Sequence, residues 1–543
     1  MGICIHMCIS HSVTKEEWKK VYEETLQLVE NFPLAEKRKK KCNGIDTTCL
    51  VRTKERKETF GWNNEKERFG WCADGDYKTM RTAEEYFLPR DFIKEESIDL
   101  EAGDALMDEI SNMDYGWNEE KVSHSYHLWG RKTQGEPYHI YLLAIACTIE
   151  SRLREKALVY GDITRGQCKK AVELANQYLS EPIDIPDRCD MERLWKRISK
   201  LSLCEWKQLN AFEHFYLGTK DSEFGHYIKN IYSEDACENY WKNRLKNSRI
   251  GTIGFSADIQ EYLLWGFDLQ KLCSLVNFED KEESYVSFVK AIMNTKLHQK
   301  EKDCNDILQI DQEESRPYSI YTLMAQFAFI GARNDKVDRY IPIDEIREAL
   351  NYGLRTKCNV DSIIDEYLEK ERLQMEKLSK NQKENTDIFA GQSESEIFKQ
   401  IMDVTSQTIA ETEQKYTISE YQDLMNYKIG DTIYPALEEA IKKSYIFYNS
   451  LLDEEYYKDL MQQSARECCE WLVNQNRSIL IRDKDWEKIF TDIEHNKNSF
   501  ARYYPMVRVK CDADSLIYLT RALVLNDDLY QYISTSDVLS KLC

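Results

Sequence analysis

Ile3, Ile5, Met7 and Ile9 alternate with Cys4, His6, Cys8 and Ser10, the period-two pattern of a strand with one apolar face. Thr14 and Glu17 then have the spacing of a capping box, whose hydroxyl and carboxylate satisfy orphan amides at a helix start. Trp18, Val21, Tyr22, Thr25, Leu28, Val29 and Phe32 fall on one stripe of that helix, and Pro33 ends it. Asn43-Gly44 marks a turn, and Thr47 to Arg52 reads as a second strand. Phe60-Gly61-Trp62 and Phe69-Gly70-Trp71 sit nine residues apart, which suits the two arms of a hairpin with Asn64 to Arg68 at its tip. A turn is expected at Asp74-Gly75-Asp76 and a short helix over Thr82 to Phe87.

Beyond about residue 95 the period changes from two to that of helices. Irregular acidic chain runs to about residue 118, and a buried helix is expected from Tyr138 to Leu158, broken by Gly161. Thr164 and Gln167 form a second capping box, before a stripe of Cys168, Ala171, Val172, Ala175, Tyr178 and Leu179. Further helical segments fall near 190–217, 222–247, 257–276, 281–298, 318–331 and 344–354, and a charged amphipathic helix over Asp361 to Lys383. Residues 381–396, rich in Asn, Gln, Ser, Glu and Gly, read as a linker. Helical periodicity then returns, with one strand-like run at Met506 to Val509. No consensus repeats at 33 to 45 residues, so no named solenoid is indicated. The expected fold is mainly α: a small N-terminal α+β module (1–95), a large multi-helical domain (96–380), a linker (381–396) and a C-terminal helical domain (397–543).

Length and composition fit this division. A chain of 543 residues with 42% hydrophobic positions is long enough for several cores. No apolar run approaches the roughly 18 residues that suggest a membrane-spanning helix, and the first strand lacks the basic flank of a signal peptide. Seventeen cysteines are scattered along the chain, without a repeated CxxC spacing, and suit small buried hydrophobes in a reducing cytoplasm. The net charge of −21 is uneven: residues 1–92 hold 17 basic against 16 acidic residues, and 397–543 hold 17 against 24. Such an acidic body repels nucleic acid except at a local patch, and the dense one is Lys37, Arg38, Lys39, Lys40 and Lys41, expected in a solvated loop.

Phosphate loops, GxGxxG, GxSxG and HExxH are all absent. Cys4, His6 and Cys8 share one strand face, where they can be half-buried packing residues, a thiol–imidazole catalytic pair or soft-metal ligands. His124, His127 and His139 are three of nine histidines and a candidate metal set, although Tyr126, Trp129 and Gly130 suggest an aromatic loop. Asp46, Glu55 and Lys57 resemble in order the acidic and basic residues of metal-dependent nucleases. Trp62, Trp71, Arg81 and Arg90, with Tyr77 and Tyr86, are candidates for stacking a base, or else cross-strand core pairs. The sequence favours a non-catalytic cytoplasmic scaffold or sensor that binds a protein partner through helical surfaces. The competing class is an enzyme with its site in the first module, either a Cys/His hydrolase or a metal-dependent nuclease. Neither cofactor nor ligand is indicated.

Overall fold

A computed structural model describes residues 3–60, 66–91, 103–115, 124–246, 248–278, 281–294, 341–354, 356–385, 424–433, 435–476, 479–508 and 514–535. The fold is mainly α: residues 1–176 mix two sheets with helices, and a long helical region follows. The described strands are β1 (Cys4–Ser10), β2 (Leu34–Cys42), β3 (Ile45–Arg52), β4 (Arg56–Phe60), β5 (Lys66–Asp76), β6 (Thr82–Pro89), β7 (Ser125–Lys132) and β8 (Ala157–Gly161). The first four helices are α1 (Lys15–Asn31), α2 (Leu106–Tyr115), α3 (Tyr138–Leu153) and α4 (Arg165–Asn176). Among the described residues no helix is long and apolar enough to cross a membrane.

The chain forms two compact units, each assembled from separated stretches. One comprises Met1–Leu28, Phe92–Gly135 and Ile140–Ala390; the other comprises Val29–Asp91, Glu136–His139 and Gly391–Cys543. Residues 1–95 therefore contribute to both.

In the first unit β1 is the middle strand of an antiparallel sheet of order β7-β1-β8. Its alternation is realised: Ile5, Met7 and Ile9 are fully buried. The Thr14 capping box forms as the spacing predicts, with Glu17 accepting from the Thr14 amide at 2.8 Å. The Thr164 box also forms, opening α4. Helices α5 (Met191–Ile198), α6 (Glu205–Phe215), α7 (Ser222–Ile231), α8 (Glu234–Lys246), α9 (Ile253–Leu264), α10 (Leu269–Leu275), α11 (Glu282–Asn294), α12 (Ile343–Leu354) and α13 (Val360–Asn385) follow. One core runs through them from Leu106 and Leu158 to Phe212, Trp241, Trp265, Phe288 and Leu350. The long helical segments expected at 190–217, 222–247 and 257–276 each divide into two helices. Asp190 and Asp221 cap the first helix of the first two segments, and Asp268 caps the second helix of the last.

In the second unit the sheet runs β3-β2-β5-β4, with β6 also on β5. The chain segment just before Asp483 extends it: the Leu50 amide donates to the Ile481 carbonyl at 2.9 Å. Helices α14 (Pro435–Ser450), α15 (Glu455–Leu460), α16 (Ala465–Gln475), α17 (Asp483–His495), α18 (Phe500–Tyr503), α19 (Pro505–Arg508), α20 (Asp514–Leu525) and α21 (Asp527–Thr535) belong to this unit. Cys42, Ile45 and Cys49 of the sheet share a core with Leu472, Trp486, Ile489 and Phe490. A strand-forming N-terminal sheet is thus completed by helices more than 400 residues away.

Several local expectations are corrected. The basic run Lys37 to Lys41 lies in β2, where pairing with β3 supplies backbone partners that a charged loop would lack. Thr82 to Phe87 is strand β6, with Tyr86 and Leu88 buried and Glu84 and Glu85 exposed. The Asp74–Asp76 turn is the end of β5, bulged between Ala73 and Gly75, and the chain turns at 77–80 instead. The helix expected to reach Leu158 stops at Leu153; Ala157–Gly161 pairs with β1. His124 to Gly130 leads into strand β7 rather than a loop. Met506 to Arg508 is helical. The hairpin of β4 and β5 forms, with Phe60 opposite Lys66. Lys66 to Arg68, expected at the tip, belong to β5, while residues 61–65 with Trp62, the segment 318–331 and linker residues 386–396 lie outside the described residues.

Candidate functional site

The face of β1 opposite its buried apolar row carries Cys4, His6 and Cys8. Neighbouring strands add to it: Cys8 lies opposite His127 of β7, and His6 opposite Tyr160 of β8. The β1–β7 register shifts between Met7 and Cys8, so that His127, not Leu128, faces Cys8. A bulge commonly re-aims a side chain in this way. Gly130 leaves room beside it for the His127 imidazole, which a Cβ at that position would overlap unless the ring shifted.

Three polar atoms converge. The Cys8 Sγ is 3.5 Å from His127 Nδ1 and 3.7 Å from the Tyr160 hydroxyl, to which it donates. The Tyr160 hydroxyl is 3.4 Å from the same Nδ1. The His6 ring stacks on Tyr160 with centroids 4.8 Å apart and lies 5.5 Å from the His127 ring. Glu109 of α2 accepts from Tyr160, and Ser125, itself bonded to Asp108, donates to Cys8.

The electrostatics follow from this burial. Cys8 is 3% exposed, and burial with the nearby Glu109 and Asp108 carboxylates pushes its thiol up to about 12. Partial burial lowers both His127 and His6 from the ordinary imidazole range, so both are neutral at pH 7. Burial pushes the Tyr160 phenol far up. The cluster therefore holds a neutral thiol, two neutral imidazoles and a phenol beside carboxylates. A thiolate–imidazolium pair would need the reverse balance of charge.

The other candidate residues are dispersed. Cys4 is half-buried, and its amide donates to Asp162 at 2.8 Å. His124 precedes β7, its amide bonded to Asp108 at 2.8 Å. His139 is buried at the start of α3 and belongs to the other compact unit from His124 and His127. Trp71 is fully buried. Arg81 bonds Glu136 at 2.9 Å and lies over the Tyr518 ring, and Arg90 lies 3.7 Å from Glu55. Asp46 approaches Lys41 at 3.9 Å, and Lys57 pairs with Glu67, so Asp46, Glu55 and Lys57 each have a different partner. In the basic strand, Lys40 pairs with Asp483 at 2.7 Å, and Arg38 with Glu36 and Glu58.

Among the described residues, Glu36, Glu58 and Cys72 bring their ligand atoms within 4.8 Å of one another. Arg38 and Arg56 already occupy both carboxylates, which makes this a buried ion-pair network on the second unit's sheet. Sequence reasoning missed it because its members come from β2, β4 and β5. It missed Tyr160 and Glu109 for a related reason. Tyr160 lies where a helix was expected to end, and no local pattern ties it to Cys8. No family model, curated protein or solved structure matches this chain.

Proposed function

We propose that this protein is a non-catalytic scaffold or sensor that binds a protein partner through its helical surfaces in a reducing, cytoplasmic compartment. The observation that carries this reading is the outward-facing end of α14, where consecutive Ile446 and Phe447 are 39% and 55% exposed while Tyr448 beside them is buried. Two adjacent large apolar side chains in water are a cost that a partner removes, at about 25 cal/mol for each Å² covered. The compartment rests on the described cysteines, every one a free thiol.

The competing Cys/His hydrolase reading is favoured by the 3.5 Å approach of Cys8 to His127. Against it stands the thiol itself, sealed from solvent and held protonated, whereas a nucleophilic cysteine needs thiolate and access.

Affinity capture of the full-length protein from its own cells, with and without Ile446→Asp and Phe447→Asp, tests the proposal. A stoichiometric protein partner lost in the folded double variant is expected. Absence of any such partner, or a partner held equally by the variant, overturns it.

A further inference from the structure

We propose that Cys8, His127 and Tyr160 form a binding site for one thiophilic divalent cation of the zinc class. The inference goes beyond the scaffold reading and stands without it. Bonds of about 2.3 Å to sulfur and about 2.0–2.1 Å to nitrogen or oxygen, at the tetrahedral angle, separate the ligand atoms by about 3.3–3.6 Å. The three edges here are 3.4, 3.5 and 3.7 Å. An ion seated on this triangle needs little movement of the strands that carry it.

The chemistry of the donor set agrees. Neutral imidazole offers the Nδ1 lone pair, and a buried sulfur suits a borderline-soft metal better than a hard one. Tyr160 donates its own proton toward Glu109, which leaves an oxygen lone pair free to face Cys8 and His127. The Glu109 carboxylate, bonded to Tyr160, and the Asp108 carboxylate, bonded to Ser125, bring negative charge beside the cluster, which favours a cation. The fourth position falls to His6, whose Nδ1 is buried and makes no hydrogen bond among the described residues. Its ring centroid is 5.5 Å from that of His127, a separation that two imidazoles on one ion can adopt after a small rotation. Binding replaces the Sγ–H bond of Cys8 by a bond from sulfur to metal, and the proton leaves to solvent.

The same set explains why the site escapes a search for local spacing. Its donors lie on three strands, with His127 119 positions and Tyr160 152 positions along the chain from Cys8.

The test is titration of the chelator-stripped, full-length protein with Co²⁺, an optical stand-in for zinc. One cobalt per chain is expected, with a thiolate-to-cobalt charge-transfer band. Cys8→Ser should abolish that band. His127→Ala, at an exposed residue, should weaken binding by at least about tenfold, and Glu109→Gln by about 10–100-fold, as for other outer-shell partners. Cys72→Ser should change nothing, because that cysteine belongs to the arginine-neutralised cluster on the other sheet. The proposal is overturned if the wild-type protein gives no thiolate band, if the band survives Cys8→Ser, or if Cys72→Ser removes it. Should Cys8→Ser fail to fold by circular dichroism, His127→Ala and Tyr160→Phe decide: wild-type cobalt affinity in both overturns the site.

Discussion

Glu150 and Arg197 show how single buried charges hold the first unit together. Arg197 is 5% exposed and grips Asp104 through contacts of 2.7–3.0 Å, with a further bond to the Ala157 carbonyl at 3.0 Å. Glu150, on α3, accepts from the Val159 amide of β8 at 2.6 Å and from the Asp187 amide at 3.3 Å. Burial outweighs the nearby Arg197 and Arg188, and raises this carboxyl from 4.5 to about 7. A carboxyl with a raised folded value binds its proton more tightly in the folded state. Its contribution to stability is therefore complete below pH 4.5 and is lost as the pH rises through 7. Glu150→Gln should remove a pH dependence on the order of 3 kcal/mol across that window. Urea denaturation of both proteins at pH 5 and pH 7.5 measures it; an unchanged slope with pH would place the effect elsewhere.

At the scale of elements, the signals that succeeded are those that one segment can complete unaided. The Thr164 hydroxyl accepts from the Gln167 amide at 3.1 Å, while the Gln167 side chain accepts from the Thr164 amide at 3.0 Å. Both bonds close within four residues, so spacing alone announces them. Thr164→Ala should cost about 1 kcal/mol of stability, the usual worth of an N-cap, and thermal unfolding reads it as a lowered midpoint. The elements read wrongly needed a neighbour. β2 carries five consecutive basic residues and would be poor strand material in isolation. Its ladder to β3 and the Lys40–Asp483 and Arg38–Glu58 ion pairs make it a strand. β6 and β8 are likewise short segments whose conformation is set by β5 and β1 beside them.

For the molecule as a whole, the consequential fact lies within the second unit. Its N-terminal sheet has an apolar patch of Cys42, Ile45 and Cys49 buried by the C-terminal helices. Trp486, fully covered there, lies in the same core as those three residues. A fragment of residues 1–95 would expose that patch and would also leave β1 without β7 and β8. We expect such a fragment to bind a hydrophobic dye and to show no cooperative denaturation transition. A sharp transition in the fragment would mean that the first 95 residues form a self-sufficient module.

By itself the sequence determined the mainly helical fold, the first strand and its apolar face, both capping boxes and the start of the buried helix at Tyr138, though not its end. Each is a local rhythm of side chains, fixed by backbone geometry within a few residues. It also put Cys4, His6 and Cys8 on one face, and so reached half of the candidate site. Only the tertiary structure decided which of these acquires partners: Cys8 meets His127 and Tyr160, His6 stacks on Tyr160, and Cys4 stands apart from that triangle. Strand pairing joins residues more than a hundred positions apart, and nothing in a local period encodes which distant strand will supply the opposite side chain. The same holds for the sheet of the second unit, whose covering helices come from the far end of the chain because its buried face needs them.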